Sequence, residues 1–326
     1  MEGGQITIRA SISKLLLICG AGLVGQLCCG APYSIRSGNQ SYIRAADAAA
    51  ACGFASVRHA GNLRFVRGRT QLALTPDKLP LYWGGVKVFQ CFPAIVRKGT
   101  PYVSRLDFDK TLIPLALVRG KKPSPIRSVT IDCGHGGTDK GASGKFSHEK
   151  HITLRIGLRV AQILRNCGYR VNLTRTKDLF LPLPERCRIQ RAARSDLFVS
   201  IHINAAQDKS LSGIETFALT PSGASSTSGG KGQNARFNGN RFDGENLFLA
   251  YSIQSALLRR TGAVDRGVKR ARFAVLKDIN APGVLVELGF VSNSREERLL
   301  NDPAYIEKLA RGIAEGIICY RDGVRP

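Results

Sequence analysis

The sequence predicts an α/β protein: a twisted, mostly parallel sheet with helices on both faces, preceded by a small β-rich α+β domain. Three observations carry this. Beyond residue 127, apolar runs of strand length alternate with stretches of helical periodicity. Those runs are continuous rather than alternating, as in strands covered on both faces. Between residues 33 and 120 the runs are shorter and richer in β-formers, broken by Gly, Pro and Asp turns. With 326 residues, 43% of them hydrophobic, the chain can bury a real core in two units.

Taken in order, Arg9 and Lys14 precede the apolar stretch Leu15 to Val24, and small residues follow at Cys28, Cys29, Gly30 and Ala31. This is the pattern of a secretory signal, so residues 1–31 are expected to be a signal peptide and the protein to be exported, to the periplasm or cell envelope. Leu27 stands where a small residue is expected ahead of an acylated Cys, which argues against lipoprotein anchoring. No apolar run reaches the ~20 residues of a membrane span. The Ala-rich stretch Tyr42 to Gly53 reads as a helix closed by Gly53. Leu63 to Val66, Gln71 to Leu74, Val86 to Phe89 and Tyr102 to Val103 read as short strands of an auxiliary domain over 33–120.

The basic, Pro-interrupted stretch from Arg119 to Arg127 has the chemistry of a linker, placed at 121–126. The larger domain, 127–326, has expected strands at Ser128 to Cys133, Tyr169 to Thr174, Asp196 to His202, Gly213 to Leu219, Phe273 to Leu276 and Val284 to Glu287. Its first helix carries Ile152, Ile156, Val160 and Ile163 at helical spacing and ends at Cys167-Gly168, a C-cap signal. The last helix, after Asn301-Asp302-Pro303, repeats the pattern with Ile306, Leu309, Ala310, Ile313 and Ile317.

The net charge is +24, and both parts share it: residues 33–122 carry 15 basic and 4 acidic residues, residues 127–326 carry 31 and 19. Such a surface favours polyanions of any kind, whether nucleic acid, lipid headgroups or an acidic wall polymer. Aromatics are 7% and no nucleic-acid recognition module is present, so with an export signal no nucleic-acid partner is expected. Of nine cysteines, Cys52, Cys91, Cys133, Cys167, Cys187 and Cys319 lie beyond the signal, at spacings that match no zinc ribbon or redox pair.

In sheets of this class ligands gather beyond the carboxyl ends of strands. Three polar clusters sit there: Asp132-Cys-Gly-His135-Gly-Gly137, Ser200-Ile-His202-Ile-Asn204, and Glu287-Leu-Gly-Phe290. Glu149 opens the helix after the first strand. Two His and a carboxylate from separate elements match an open catalytic zinc site, with water in the fourth position.

The order GHGG, Glu-Lys before a helix, SIHxN and VELGF resembles the zinc-dependent N-acetylmuramoyl-L-alanine amidases that act on bacterial peptidoglycan. The resemblance spans residues 127–320, including Asp265 to Phe273 and Leu299 to Tyr305. It implies a zinc amidase catalytic domain in which His135, Glu149 and His202 bind Zn2+ and Glu287 is the catalytic carboxylate. The implied reaction is hydrolysis of the amide between N-acetylmuramic acid and L-alanine, in wall remodelling or daughter-cell separation. Peptidoglycan is then the partner, with an unidentified regulatory or wall-anchoring protein as a further one. Residues 33–120 are similar to the copper amine oxidase-like N-terminal module of secreted bacterial proteins, although His59 is their one histidine and no copper ligand set exists.

Two features imitate metal sites. His148 and His151 are three residues apart rather than the four of a zincin helix, which marks them as first-turn surface residues. Cys133 stands where the implied family usually has proline, and reads as a small buried thiol. Arg186 and Asn204 are expected at the cleft rim in supporting roles. Division-associated relatives often place a blocking helix near residues 220–245, but the Gly, Ser and Asn content here reads as a loop, so no helical gate is expected. Two alternatives compete: a zinc peptidase cutting within the stem peptide, and a non-catalytic wall-binding protein on the same fold.

Overall fold

The computed structural model describes residues 34–57, 63–116, 125–230 and 232–323. The expected signal peptide, His59 and residues 121–124 of the expected linker lie outside these. In chain order, β1 (Ser34–Ser37) and β2 (Gln40–Arg44) precede α1 (Ala45–Ala51). Then come β3 (Ala55–Val57), β4 (Leu63–Arg67), β5 (Thr70–Leu74), β6 (Pro80–Trp83), β7 (Val86–Phe89), β8 (Ile95–Arg97) and β9 (Thr100–Ser104). A helical stretch follows: α2 (Arg105–Asp107), a π-helical turn (Phe108–Leu112) and α3 (Ile113–Ala116). The larger part holds β10 (Ser128–Cys133), α4 (Glu149–Asn166), β11 (Arg170–Leu173), α5 (Leu183–Ala193), β12 (Leu197–Asn204) and β13 (Ile214–Leu219). After a 3-10 turn (Asn238–Phe242) come α6 (Asp243–Thr261), β14 (Asp265–Ala271), α7 (Ala274–Lys277), β15 (Gly283–Phe290), α8 (Ser294–Asn301) and α9 (Pro303–Asp322).

The helical periodicities fall where the pattern puts them. Ile152, Ile156 and Val160 of α4 are fully buried, and the helix stops at Cys167 and a left-handed Gly168. In α9 the Asp302 side chain accepts from Ala304 N, Pro303 occupies the first turn, and Gly323 closes the helix in the left-handed region. Two expectations are corrected. Phe273 to Leu276 is not a strand: Phe273 caps the short helix α7, and the strand lies before it as β14. That strand hides from a hydropathy reading because Val268 and the buried Arg270 replace an apolar run. Tyr42, Ile43 and Arg44 are not helical either, since they pair with Ser104, Val103 and Tyr102 of β9, and the helix starts at Ala45.

Eleven strands form one sheet in the order β11-β10-β12-β15-β13-β14-β7-β6-β5-β4-β3. Strands β11, β10, β12 and β15 run parallel; β13 is antiparallel to β15, and β14 parallel to β13. A second sheet, β1-β2-β9-β8, lies in the N-terminal part. Along the strands, side chains alternate between two apolar clusters: Val199, Val284 and Val286 join the larger, with α4, α6 and α9, and Phe198 and Leu285 join the smaller, with Val275 and Leu276 of α7. Helices therefore cover both faces, as the continuous apolar runs require.

The N-terminal strands continue the main sheet edge to edge. Val88 of β7 pairs with Val268 of β14, and both are fully buried. The Asp265 carboxylate accepts from Lys87 N at 2.7 Å, Tyr251 Oη of α6 donates to Trp83 O at 3.2 Å, and Arg270 Nη2 donates to Lys110 O and Thr111 Oγ1. One continuous core includes Trp83, Val88, Val268 and Tyr251. Among the described residues, 220–237 contain no helix, but the loop expected over 220–245 ends early: Asn238–Phe242 form the 3-10 turn and Asp243 to Glu245 open α6. The loop leaves β13 at the end of the sheet opposite Glu287, because β13 runs against β15. Among the described residues no helix is long and apolar enough to cross a membrane.

Candidate metal centre

The period of two that builds the sheet also builds the site. On the sheet face that carries the smaller cluster, Phe198 and Leu285 are followed two residues on by Ser200 and Glu287, and Ser200 by His202. His202 and Glu287 are register partners across β12 and β15, and Glu287 faces Glu215 across β15 and β13. At the same strand ends, the turn after β10 delivers His135, and α4 opens with Glu149.

His135, Glu149 and His202 converge, with one ligand atom from each lying within 4.8 Å of the others. His135 Nε2 stands 3.1 Å from Glu149 Oε2, and His202 Nδ1 2.9 Å from Glu149 Oε1. Donors at ~2.0–2.1 Å around a tetrahedral zinc stand about 3.3 Å apart, so this spacing fits such an ion. Asp139 Oδ2 bonds His135 Nδ1 at 2.8 Å, which orients the ring and leaves Nε2 turned inward, as an outer partner of a metal-bound histidine does. Glu149 is nearly fully buried and accepts from Ala142 N and Ile203 N. Burial works to raise its carboxyl, but the contacts with His135 and His202 outweigh it and hold the group well below the usual carboxylate range. Its place in the first turn of α4 adds the favourable end of the helix dipole.

Glu287 does not belong to the ligand triad. Its Oε2 is shut off from solvent and has no hydrogen-bond partner. Burial first, then the charges of Glu149 and Glu215, push its carboxyl well above the usual range, with Lys269 opposing. Glu215 is itself buried and is paired with Lys269 and with Arg266 at 3.1 Å, while Asn204 Nδ2 donates to its other oxygen.

The His135 turn needs holding, because His135 adopts a left-handed backbone with φ of 61°. Two buried guanidinium groups hold it. Arg186 Nη1 donates to Cys133 O and Asp132 Oδ1, and its Nη2 to His135 O; Arg175 donates to Cys133 O and Gly134 O. Asp132, fully buried, also accepts from Thr174 and Ser200 hydroxyls. Arg186 thus sits beneath the site at 2% exposure rather than at its rim, a correction forced by the Asp132 charge it neutralises. Asn204 is half-buried beside Glu215.

The two imitators stay outside. His151 is exposed and His148 bonds Ser143 Oγ. Cys133 turns its sulfur toward Gly157 of α4, and burial pushes its thiol up to about 12. All six described cysteines are free. Sequence reasoning missed Asp139, Arg175 and Glu215, and Asp139, four residues after His135, was the one readable from spacing.

Residues 129–319 match the family model described as N-acetylmuramoyl-L-alanine amidase (Amidase_3). The chain is 36% identical over 228 residues to N-acetylmuramoyl-L-alanine amidase AmiA of Escherichia coli K12, covering 62% of this chain and 78% of the relative. An uncharacterized protein, YqiI, of Bacillus subtilis is 37% identical over 65% of this chain and 92% of its own. Among solved structures, the catalytic domain of CwlV, an N-acetylmuramoyl-L-alanine amidase from Bacillus (Paenibacillus) polymyxa var. colistinus, superposes with a TM-score of 0.51 at 31% identity, over 60% of this chain and 97% of that one. AmiC2 of Nostoc punctiforme gives 0.51 at 32% identity, over 61% and 98%.

Proposed function

This chain belongs to the N-acetylmuramoyl-L-alanine amidase family and is an enzyme acting on peptidoglycan; from that premise we propose that it is a zinc-dependent amidase of the cell envelope, with His135, Glu149 and His202 as metal ligands and Glu287 as the proton-transferring carboxylate. The observation that carries this reading is the convergence of the His–Glu–His group next to a carboxylate oxygen without a partner, Glu287 Oε2. Zinc bound there would polarise the amide carbonyl and lower the pKa of water toward ~7.

The chain's own residues do the rest. Asp139 keeps His135 in the tautomer that presents Nε2. Glu287, on the strand beside His202, accepts the proton of the attacking water and delivers it to the departing nitrogen of L-alanine. The bond broken joins the lactyl carbonyl carbon of N-acetylmuramic acid to that nitrogen, and the products are a free carboxylate on the sugar and a peptide with a free amine. Export, through the expected signal at 1–31, places the enzyme with its substrate. The module resemblance of residues 33–120 belongs to the same proposal, and their pairing with β14 favours a structural role for them.

Purified protein loaded with zinc and incubated with peptidoglycan should release intact peptides beginning with L-alanine. Glu287→Ala should keep its zinc and lose at least about a hundredfold in rate. Products cut within the stem peptide would instead identify a peptidase, and zinc binding without any product would identify a binding protein.

A further inference from the structure

The described residues include few large apolar side chains that face solvent, and three of them lie within five positions: Leu179, Phe180 and Leu183, at 45%, 48% and 51% exposure. Phe180 and Leu183, together with Leu181 and Pro182, line a pocket of about 90 Å³ that His135 and His202 also line. The wall is therefore at the metal centre itself.

The loop that bears it is fixed. The Asp178 carboxylate accepts from Gly137 N at 2.7 Å and pairs with Lys150 Nζ at 2.6 Å, and that ammonium also donates to Gly137 O. Gly136 and Gly137 have φ of 134° and 58°; a Cβ on Gly136 would overlap Leu179 O, and one on Gly137 would come within 2.6 Å of Phe180 N. The two glycines after His135 thus give the chain its turn and also let residues 179–180 lie directly on it. A rigid loop holding apolar groups in water, against the reacting centre, is a recognition surface that leaves its area uncovered until something binds.

We infer that Phe180 and Leu183, with Leu179 at the margin, form the specificity wall that receives the methyl-bearing units flanking the scissile amide, chiefly the L-alanine side chain. The inference rests on the amidase reading above. Both units next to that bond carry a methyl group, and the wall is the apolar side of a pocket whose other lining residues, Asp132, His135, Asp139, Arg186 and His202, are polar. The acidic groups further along the stem peptide have no complement on this wall, which restricts its role to the bond's immediate flank.

The test uses the full chain, loaded with zinc, and two soluble substrates: an N-acetylmuramoyl-L-alanyl peptide and its glycyl counterpart. Wild type should prefer the alanyl substrate by about tenfold in kcat/KM, the range one methyl group supplies in an apolar pocket. Phe180→Ser and Leu183→Ser should remove most of that preference while zinc content and melting temperature stay at wild-type values, and Phe180→Leu should keep it. Equal losses on both substrates, or an unchanged preference, would overturn the wall. A wild-type protein that cuts neither substrate overturns the amidase reading instead, a result obtained before any variant is compared.

Discussion

Glu287 and Arg186 show what single side chains cost and contribute here. The Glu287 carboxyl is raised chiefly by burial, then by Glu149 and Glu215, so its folded pKa lies above the unfolded value of ~4.3. Its ionised form therefore destabilises the fold as pH rises above that value, and the cost vanishes below it. Stripped of metal, Glu287→Gln should melt higher than wild type at pH 7 and alike near pH 4; thermal unfolding at the two pH values checks this. Asp132 runs the other way. Burial works to raise it, but Arg186 and the Ser200 hydroxyl prevail and lower it, so its contribution is full above ~3.9 and is lost as pH falls further. Arg186→Met takes the balancing cation from that buried carboxylate and the guanidinium donor from His135 O. It should cost about 3–5 kcal/mol in denaturant unfolding and weaken zinc binding by about 10–100-fold in competition titration. That the four candidate residues lie together was legible in sequence because four motifs coincide in order. Asp139, Arg175 and Glu215 were less so: each is a single polar residue whose role depends on which strand or turn lies beside it.

Elements were legible where one face is apolar at a clear period, as in α4 and α9, and illegible where burial is achieved by other chemistry. Strand β14 buries Val268 and the aliphatic and charged length of Arg270, so no apolar run announces it. The packing of α4 on β10 has its own requirement. A Cβ at Gly157 would overlap Cys133 Sγ, so the cysteine and the glycine are a matched pair between strand and helix. Gly157→Ala should destabilise by about 1–3 kcal/mol despite alanine's better helix propensity. Adding Cys133→Ala should recover most of the loss, read as a coupling energy in a double-mutant cycle.

At the scale of the molecule, linker chemistry near residue 120 suggests two units, yet the sheet runs through both. That continuity could not be read from sequence, because the contacts across the seam join residues far apart in the chain: the one register pair is Val88 with Val268, Asp265 is 178 residues from the Lys87 it holds, and Tyr251 and Arg270 reach back to Trp83 and to Lys110 and Thr111. The chain's single tryptophan, Trp83, lies fully buried on the N-terminal side and accepts from Tyr251 through its carbonyl. Its fluorescence and far-UV dichroism should therefore report one coincident unfolding transition. Asp265→Ala should shift both signals together, by about 1–3 kcal/mol, since its carboxylate also accepts from Gln254 and Gly267. The same seam bears on how the molecule can be divided. A fragment starting at residue 125 would turn β14 from an interior strand into a bare rim, exposing its unpaired amides, Val268 and an otherwise enclosed Arg270. Such rims seed strand-to-strand association between molecules. Light scattering should find the fragment self-associating at concentrations where the whole chain stays monodisperse, which makes the N-terminal strands the enzyme's own guard against aggregation.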